Sequence, residues 1–567
     1  MHYVILATDY DGTIAHDGVV NETTLQALHR LRDTAHRVVL VTGRELDDLQ
    51  SAMPELGVFD IIVSENGAVL YFPDRKEERR LAASPDPNFV ARLRELRMDP
   101  LSVGRSIVAT WEPNETKVLQ AIRELGLELS ITFNKGAVMV LPAGITKASG
   151  LRAALEALEL SSRNCVAVGD AENDMAFLEV AGAPVAVANA VPALKERAVW
   201  VTDNPRGEGV VELIERLLRT DFAELDAGIE RQCVALAQHG DGEPYLVAPH
   251  RETLLLTGVS GGGKSTMTQG LIERLYSGGF QFCIVDPEGD YNGLEGAVTI
   301  GTSEDAPTVE QAAKLLGRPN TSVVLNLLAM DPRDRTVFWT SILSALSALR
   351  ASAGRPHFVI VDEAHHMLPG DWDPEPVALQ AGLNGFLFIT TRPEAVSPHV
   401  LQATDRLLVV GGEPQSVLDA FCKARHLGSK VAPATLPLGD ILMLDVATET
   451  MQQLQVIPGE GTRLRHRRKY AEGRLGDDKS FWFRGADSRL RLQAHNLMLF
   501  IQIGEGVDSE TWQWHRVQGD YSRWIREAIK DDQLSDTVAG IEASHAVPDE
   551  ARRLIHEAIQ RRYTAPP

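Results

Sequence analysis

Three apolar runs in this chain of 567 residues stop abruptly at polar groups that a buried core has no use for. Val4-Ile5-Leu6-Ala7-Thr8 runs into Asp9-Tyr10-Asp11-Gly12-Thr13. Thr253–Thr257 runs into Gly258-Val259-Ser260-Gly261-Gly262-Gly263-Lys264-Ser265-Thr266. His357–Val361 runs into Asp362-Glu363. A strand covered on both faces reads as an unbroken apolar run, and open parallel sheets bind ligands beyond the carboxyl ends of their strands. Runs that end this way predict an α/β fold whose chemistry sits at strand ends.

In the first 220 residues, β-rich runs alternate with helical ones. Strands are expected at Arg37–Val41, Asp60–Val63, Asn164–Val168, Val185–Val187 and Ala198–Val201, which predicts a parallel sheet with helices on both faces. Three further element ends carry reactive groups. Thr42-Gly43-Arg44 follows the strand that ends at Val41. Lys147 opens a helix expected to run through Leu158. Gly169-Asp170-Ala171-Glu172-Asn173-Asp174 follows another strand. Asp9 and Asp11, placed together, raise each other's pKa unless a cation neutralises them, and Mg2+ is the hard, oxygen-seeking choice.

This set of motifs resembles the haloacid dehalogenase superfamily phosphatases of the Cof-type or IIB subgroup, whose cap lies between the second and third motifs. Glu65-Asn66-Gly67-Ala68 ahead of the cap fits as well. The resemblance implies a Rossmann-like core with a small α/β cap over about 75–143. It implies Asp9 as nucleophile, Asp11 as general acid and base, and Thr42 and Lys147 as phosphoryl holders. A Mg2+ site would be built from Asp9, Asp11 through its carbonyl, Asp170 and Asp174. Gly43, Arg44 and Asn173 would contact substrate, and a compact cap implies a small phosphoester such as a sugar phosphate or phosphoglycolate. Glu112, Asn134 and Lys135 are cap positions that either select substrate or are simply solvated.

Asp221–Pro249 reads as a helix followed by a polar linker. The strand–loop–helix unit after it is a complete phosphate-binding loop. Backbone N–H groups around Gly258, Ser260, Gly261 and Gly263 and the following helix dipole suit ATP phosphates. Lys264 reaches the terminal phosphates, Ser265 ligates Mg2+, and Thr266 continues the loop. Asp362 supports the metal and Glu363 orients the attacking water. Neighbouring residues of an extended segment point apart, so His365 and His366 read as ordinary polar residues. Asp286-Pro287-Glu288-Gly289-Asp290-Tyr291 and Thr390-Thr391-Arg392-Pro393 resemble the HerA/FtsK/VirB4-type ATPases over about 245–415, with Asp290 and Thr391 departing from that pattern. Arg392 and Arg406 are candidate trans-acting fingers for a homo-oligomer, with a structural surface role at least as fitting.

Net charge is −22, unevenly spread. Residues 221–455 carry 15 Lys and Arg against 29 Asp and Glu, which works against non-specific nucleic-acid binding. The basic run Arg463–Lys469 is short and reads as a solvated linker. Residues 456–567 read as a small helical accessory domain, with helices at Leu490–Ile503, Asp520–Ala528 and Asp549–Tyr563 and with Trp482, Trp512, Trp514 and Trp524 as core. The expected domains are 1–220, 221–455 and 456–567. Cys165, Cys233, Cys283 and Cys422 form no CxxC pair and read as core thiols. With no secretory leader and no bilayer-length apolar run, a cytoplasmic protein is expected. The function expected is a Mg2+-dependent phosphomonoester hydrolase joined to an ATP-hydrolysing domain. The alternatives are a HerA-like DNA motor with an accessory phosphatase, a P-loop kinase opposing the phosphatase, and a nucleotide sensor gating it.

Overall fold

The strand Ile5–Thr8 is buried along its whole length and lies inside an eight-stranded sheet. The order across that sheet is Trp200–Val201, Ala183–Ala186, Cys165–Gly169, Ile5–Thr8, Arg37–Val41, Ile61–Ser64, Val69–Phe72, Glu77–Arg80. The first six strands are parallel and the last two antiparallel. The computed structural model describes residues 1–563 except 135, 227, 260, 373–382, 460–474, 476–478, 486–489, 530 and 545. Helices Glu22–Asp33, Lys147–Ala157 and Arg206–Thr220 turn their apolar faces to this sheet, which is why its strands have no polar alternation.

The cap is a four-stranded antiparallel sheet, Leu129–Asn134, Ala137–Pro142, Val108–Trp111 and Ser102–Val103 in that order, backed by helices Pro87–Glu95 and Glu115–Leu125. Its other face, through Met139, Leu141 and Ile107, packs on Ala68 and Val69 of the core.

A second, eleven-stranded sheet holds the glycine-rich loop. Seven parallel strands, including Thr253–Gly258, Phe282–Asp286, Phe358–Val361 and Phe386–Thr390, make its body, and four antiparallel strands extend one side. Two of those four are Val234–Gln238 and Pro244–Val247. The stretch expected as helix and polar linker is thus mostly a hairpin. Among the described residues there, only Ala223–Asp226 is α-helical, because sheet pairing outweighs the weak local preference of Val-Ala-Leu-Ala-Gln.

The last part pairs a short hairpin, Phe481–Phe483 with Leu492–Ala494, with helices that include Leu497–Gly506, Ser509–Val517 and Pro548–Tyr563. The helix expected from Leu490 therefore begins only at Leu497, capped by Asn496. Trp512 and Trp524 are core as expected, stacked on Tyr521 and Phe500 respectively, while Trp482 and Trp514 are half-buried. The basic run Arg463–Lys469 lies outside the described residues. Among the described residues, no helix is long and apolar enough to cross a membrane.

The two large sheets meet at the amino-terminal ends of their strands. The Asn164 amide, just ahead of Cys165–Gly169, donates to the carbonyls of His2 at 2.8 Å and Gly354 at 3.2 Å, and its oxygen meets His357 Nε2 at 3.1 Å. His2 stacks on His250 with ring centres 3.6 Å apart. Arg355 is 1% exposed and donates to the carbonyls of Glu159 and Gly317 at 2.8 and 3.1 Å. Gly354 ends the helix Pro332–Ala353 at φ +67°, where a side chain would meet Asn164 and the His2 carbonyl within 2.5 Å.

Burial holds His2, His250 and His357 well below the ordinary histidine value of 6.5, with Arg251 also acting against charge on His250 and Arg163 on His357. The unfolded chain takes up protons below that value and the folded seam resists them, so stability is complete above about pH 6.5 and falls as the pH drops below it. Followed by calorimetry, the Tm of the wild type measured against that of a His250→Gln variant should hold steady from pH 7 to 8 and fall toward pH 5, because the raised Asp9 and Asp286 carboxyls are common to both proteins.

Candidate active site

Asp9 follows the strand Ile5–Thr8 and is 4% exposed, its N–H bonded to the Val168 carbonyl at 3.0 Å. Lys147 is the first residue of the helix Lys147–Ala157, set there by a capping box between Thr146 and Ser149. Its ammonium donates to Asp9 Oδ1 and Asp174 Oδ1, both at 2.6 Å. The other Asp174 oxygen accepts the backbone N–H groups of Asp170 and Ala171 at 2.9 and 3.0 Å, and the Thr13 hydroxyl donates to Asp170 at 3.3 Å. One carboxylate oxygen from each of Asp9, Asp170 and Asp174 lies within 4.8 Å of the others.

The electrostatics are those of an acid-rich buried site. Burial, then Asp174, push the Asp9 carboxyl up to about 7, against the pull of Lys147. Burial works against the Lys147 ammonium, yet Asp174 and Asp9 outweigh it and raise its pKa above the ordinary lysine value. The donor set is all oxygen and short of positive charge, which fits a hard divalent cation.

The remaining predicted residues surround this centre. The Thr42 hydroxyl accepts the Arg44 N–H at 3.2 Å, and Gly43 lies against the Asn66 amide. Arg44 grips both oxygens of Asp11 at 2.7 Å. The Asn173 amide has no hydrogen-bond partner in the protein, although both its polar atoms are enclosed. Glu65 has a role that the motif pattern did not reveal. Fully buried, its carboxylate accepts the N–H groups of Arg105, Ser106 and Ile107 at 2.9, 2.9 and 3.2 Å, which pins a cap loop to the core. A lone acidic residue directly after an apolar strand was the one available signal. Glu112 sits on the cap, while Lys135 and the Asn134 side chain lie outside the described residues.

The second set gathers at the end of the strand Thr253–Gly258. Gly258, Gly261 and Gly263 all have positive φ, and Gly263, at +109°, directly precedes the helix Lys264–Ser277 that carries Lys264, Ser265 and Thr266. Positive φ turns successive N–H groups inward, as phosphate binding needs. The Lys264 ammonium donates to the carbonyls of Gly258 and Val259 at 2.8 and 3.0 Å. Ser260 lies outside the described residues. Asp362 ends its strand two strands away, and its carboxylate accepts the Glu363 N–H at 3.0 Å. Beside it, burial and then Asp290 push Asp286 up to about 7.

Glu363 occupies left-handed backbone at φ +42°, and Ala364–His366 form a tight turn. The turn brings the His365 and His366 rings within 4.2 Å, so they do not point apart as expected for an extended segment. His365 Nδ1 lies 3.0 Å from Thr390 Oγ1 and 3.5 Å from Glu363, and burial holds its pKa down at about 4. Arg406 is tied within the chain to Glu252, to Tyr245 and to Asp445, the role of a structural residue.

Over residues 6–96 and 101–214 the sequence matches the haloacid dehalogenase-like hydrolases, and over 251–343 the central domain of helicase HerA. The phosphoglycolate phosphatase of Methanothermobacter thermautotrophicus is 31% identical over 222 residues, covering 38% of this chain and 98% of that protein. Phosphoglycolate phosphatase 2 of Saccharolobus solfataricus is 31% identical over 228 residues, 39% of this chain and 95% of that protein. The Methanosarcina acetivorans phosphoglycolate phosphatase is 31% identical over 226 residues, 38% and 97% respectively. With identity at that level across nearly the whole of each relative, the chain belongs to the haloacid dehalogenase-like hydrolases and is a phosphatase of that superfamily fused to a HerA-like P-loop domain.

Proposed function

We propose that the chain hydrolyses a small phosphomonoester through an aspartyl-phosphate, and that its second domain binds and hydrolyses ATP. The observation that carries the first part is the Lys147 ammonium held 2.6 Å from both Asp9 and Asp174, with Asp170 alongside. Asp9, Asp170 and Asp174, with the Asp11 carbonyl, would hold Mg2+, which supplies charge neutralisation at the phosphoryl oxygens. Asp9 attacks phosphorus while Asp11 gives a proton to the departing ester oxygen. Asp11 then takes a proton from the water that hydrolyses the acyl phosphate, regenerating Asp9. Thr42 and Lys147 hold the phosphoryl oxygens as they gain charge. Gly43, Arg44 and Asn173 meet the substrate, a role supported for Asn173 by its enclosed amide without a protein partner. The names of the relatives and the compact cap support phosphoglycolate or a molecule of that size.

In the second domain the loop Gly258–Gly263, including Ser260, would cradle ATP phosphates with Lys264 at the terminal ones. Ser265 and Asp362 would serve the nucleotide's Mg2+, Thr266 would extend the phosphate contacts, and Glu363 would orient water. The boundaries 1–220, 221–455 and 456–567 go with this reading. The likeness to HerA is the observation that favours a nucleic-acid motor instead, against the acidic balance of residues 221–455. Stimulation of ATP hydrolysis by duplex DNA at physiological salt would turn the choice toward that motor.

Three outcomes test the proposal. Asp9→Asn should lower phosphomonoester turnover by on the order of 10⁴-fold while ATP hydrolysis continues, and equal loss of both activities would mean a single centre. Lys264→Ala should remove ATP binding, measured by calorimetric titration, and leave phosphatase turnover in the absence of ATP. Adding MgCl2 should raise the Tm of the wild type, and Asp170→Asn should abolish that rise. An unchanged rise in the variant would place the ion elsewhere.

A further inference from the structure

A cleft of about 370 Å³ opens in the carboxy-terminal part, between the strand Phe481–Phe483 and the helices Ser509–Val517 and Asp520–Trp524. Neither of the two reactions proposed above uses it. Its size lies within the range of small-ligand sites, about 300–1,000 Å³. Two of its walls are tryptophans placed where the core does not need them. In the helix Ser509–Val517, Trp512 is fully buried, and Trp514, two positions on, comes out about 200° further round and is half-buried. In the strand, Phe481 and Phe483 belong to the core, and Trp482 between them alternates to the other side and is half-buried. Trp524 backs the cleft at 8% exposed, its indole N–H donating to the Lys479 carbonyl at 2.9 Å.

The walls are pinned to one another by a chain of polar contacts. The Arg484 N–H donates to His515 Nε2 at 3.1 Å, His515 Nδ1 lies 2.7 Å from Asp520, and Asp520 pairs with Arg523. Arg523 therefore offsets the charge of Asp520. Burial holds His515 below the ordinary histidine value, so it is neutral at pH 7. What remains at the rim is Lys479 and Arg484, both exposed, against the single carboxylate of Glu527. The Arg484 guanidinium lies 6.0 Å from the centre of the Trp482 ring. Residues 456–567 carry 18 Lys and Arg against 17 Asp and Glu, without the acidic excess of residues 221–455.

Flat aromatic walls and a cationic rim together call for a planar aromatic group that carries negative charge. A quaternary ammonium also sits on tryptophan, but Lys479 and Arg484 repel it. A proline-rich peptide would use the aromatic walls and leave the cations without a purpose. Every nucleobase has a face that stacks on an aromatic ring, and its phosphate answers the cations. We propose that this cleft binds a nucleobase together with its phosphate, the base on Trp514 and the phosphate at Lys479 and Arg484, and that a single-stranded nucleic acid supplies it. Bases in a duplex are already stacked on their neighbours, so the site is closed to duplex.

The test is fluorescence anisotropy of the full chain, without ATP, on a fluorescein-labelled single-stranded DNA of about twelve nucleotides. The single strand should bind more tightly than the duplex of the same sequence. Trp514→Ala should weaken binding by about fivefold to a hundredfold, the range for losing one stacked base. Trp514→Phe should keep most of the affinity, because a phenyl ring still stacks. Lys479→Gln, at an exposed position, should lower the slope of log Kd against log salt by about 0.7. AMP and inorganic phosphate, added as competitors, identify the source of the base. Displacement by AMP where phosphate has no effect extends the site to free nucleotides, and failure of AMP reserves it for strands. Three results overturn the proposal: a single strand that does not bind, equal affinity for a strand lacking its bases, and binding that Trp514→Ala leaves unchanged. In the last case the strand lies elsewhere on the chain.

Discussion

A single ammonium between two buried carboxylates governs how the amino-terminal part is built. Burying Asp9, Asp174 and Lys147 together is costly in a medium of low polarity, and the cost is offset only if the charges touch and their spare hydrogen-bonding capacity is met. The fold meets that demand from three directions. The strand Ile5–Thr8 delivers Asp9, the helix cap at Thr146 delivers Lys147, and the turn after Gly169 wraps Asp174 in backbone N–H groups. Each element is fixed by its own local rule, and the ion cluster is where those rules coincide. The cluster still holds more negative than positive charge, which is the condition that calls for a metal ion.

The nucleotide-binding part treats its charges differently. The Lys264 ammonium rests on the carbonyls of Gly258 and Val259. Asp286 is buried near Asp290 and Asp362, with the N–H groups of Glu288, Asp290 and Tyr291 on its carboxylate. Glu363 is held in left-handed backbone, a conformation that costs a non-glycine residue about 1–3 kcal/mol and tends to occur at functional sites. The contact from His365 to Thr390 joins this turn to the neighbouring strand Phe386–Thr390, so the placement of the acid and the end of that strand are set together.

What the sequence disclosed, and what it withheld, divides along physical lines. Parallel strands covered on both faces are visible as uninterrupted apolar runs, and a polar residue at their end breaks the run sharply. The positions of Asp9, Thr42, Asp170 and Asp362 at strand ends were therefore legible, as was that of Lys147 at a helix start. The hairpin 234–247 was not, because Val-Ala-Leu-Ala-Gln has little strand preference of its own and is held extended by its pairing with Pro244–Val247. Glu65 gives no hint that three cap N–H groups will converge on it. Nothing local at His2, Asn164, His357 or Arg355 says that two sheets will close over them. His365 and His366 were misplaced because the chain turns tightly after Asp362 instead of continuing extended.

The closure of the two sheets over that seam has a geometric consequence. Both sets of parallel strands begin near the shared boundary, so the carboxyl ends that carry the reactive groups lie away from it. The seam between them is crossed by Asn164, His2 and Arg355, the last following the helix Pro332–Ala353. Each mouth also keeps its own face for arriving molecules, so neither obstructs the other.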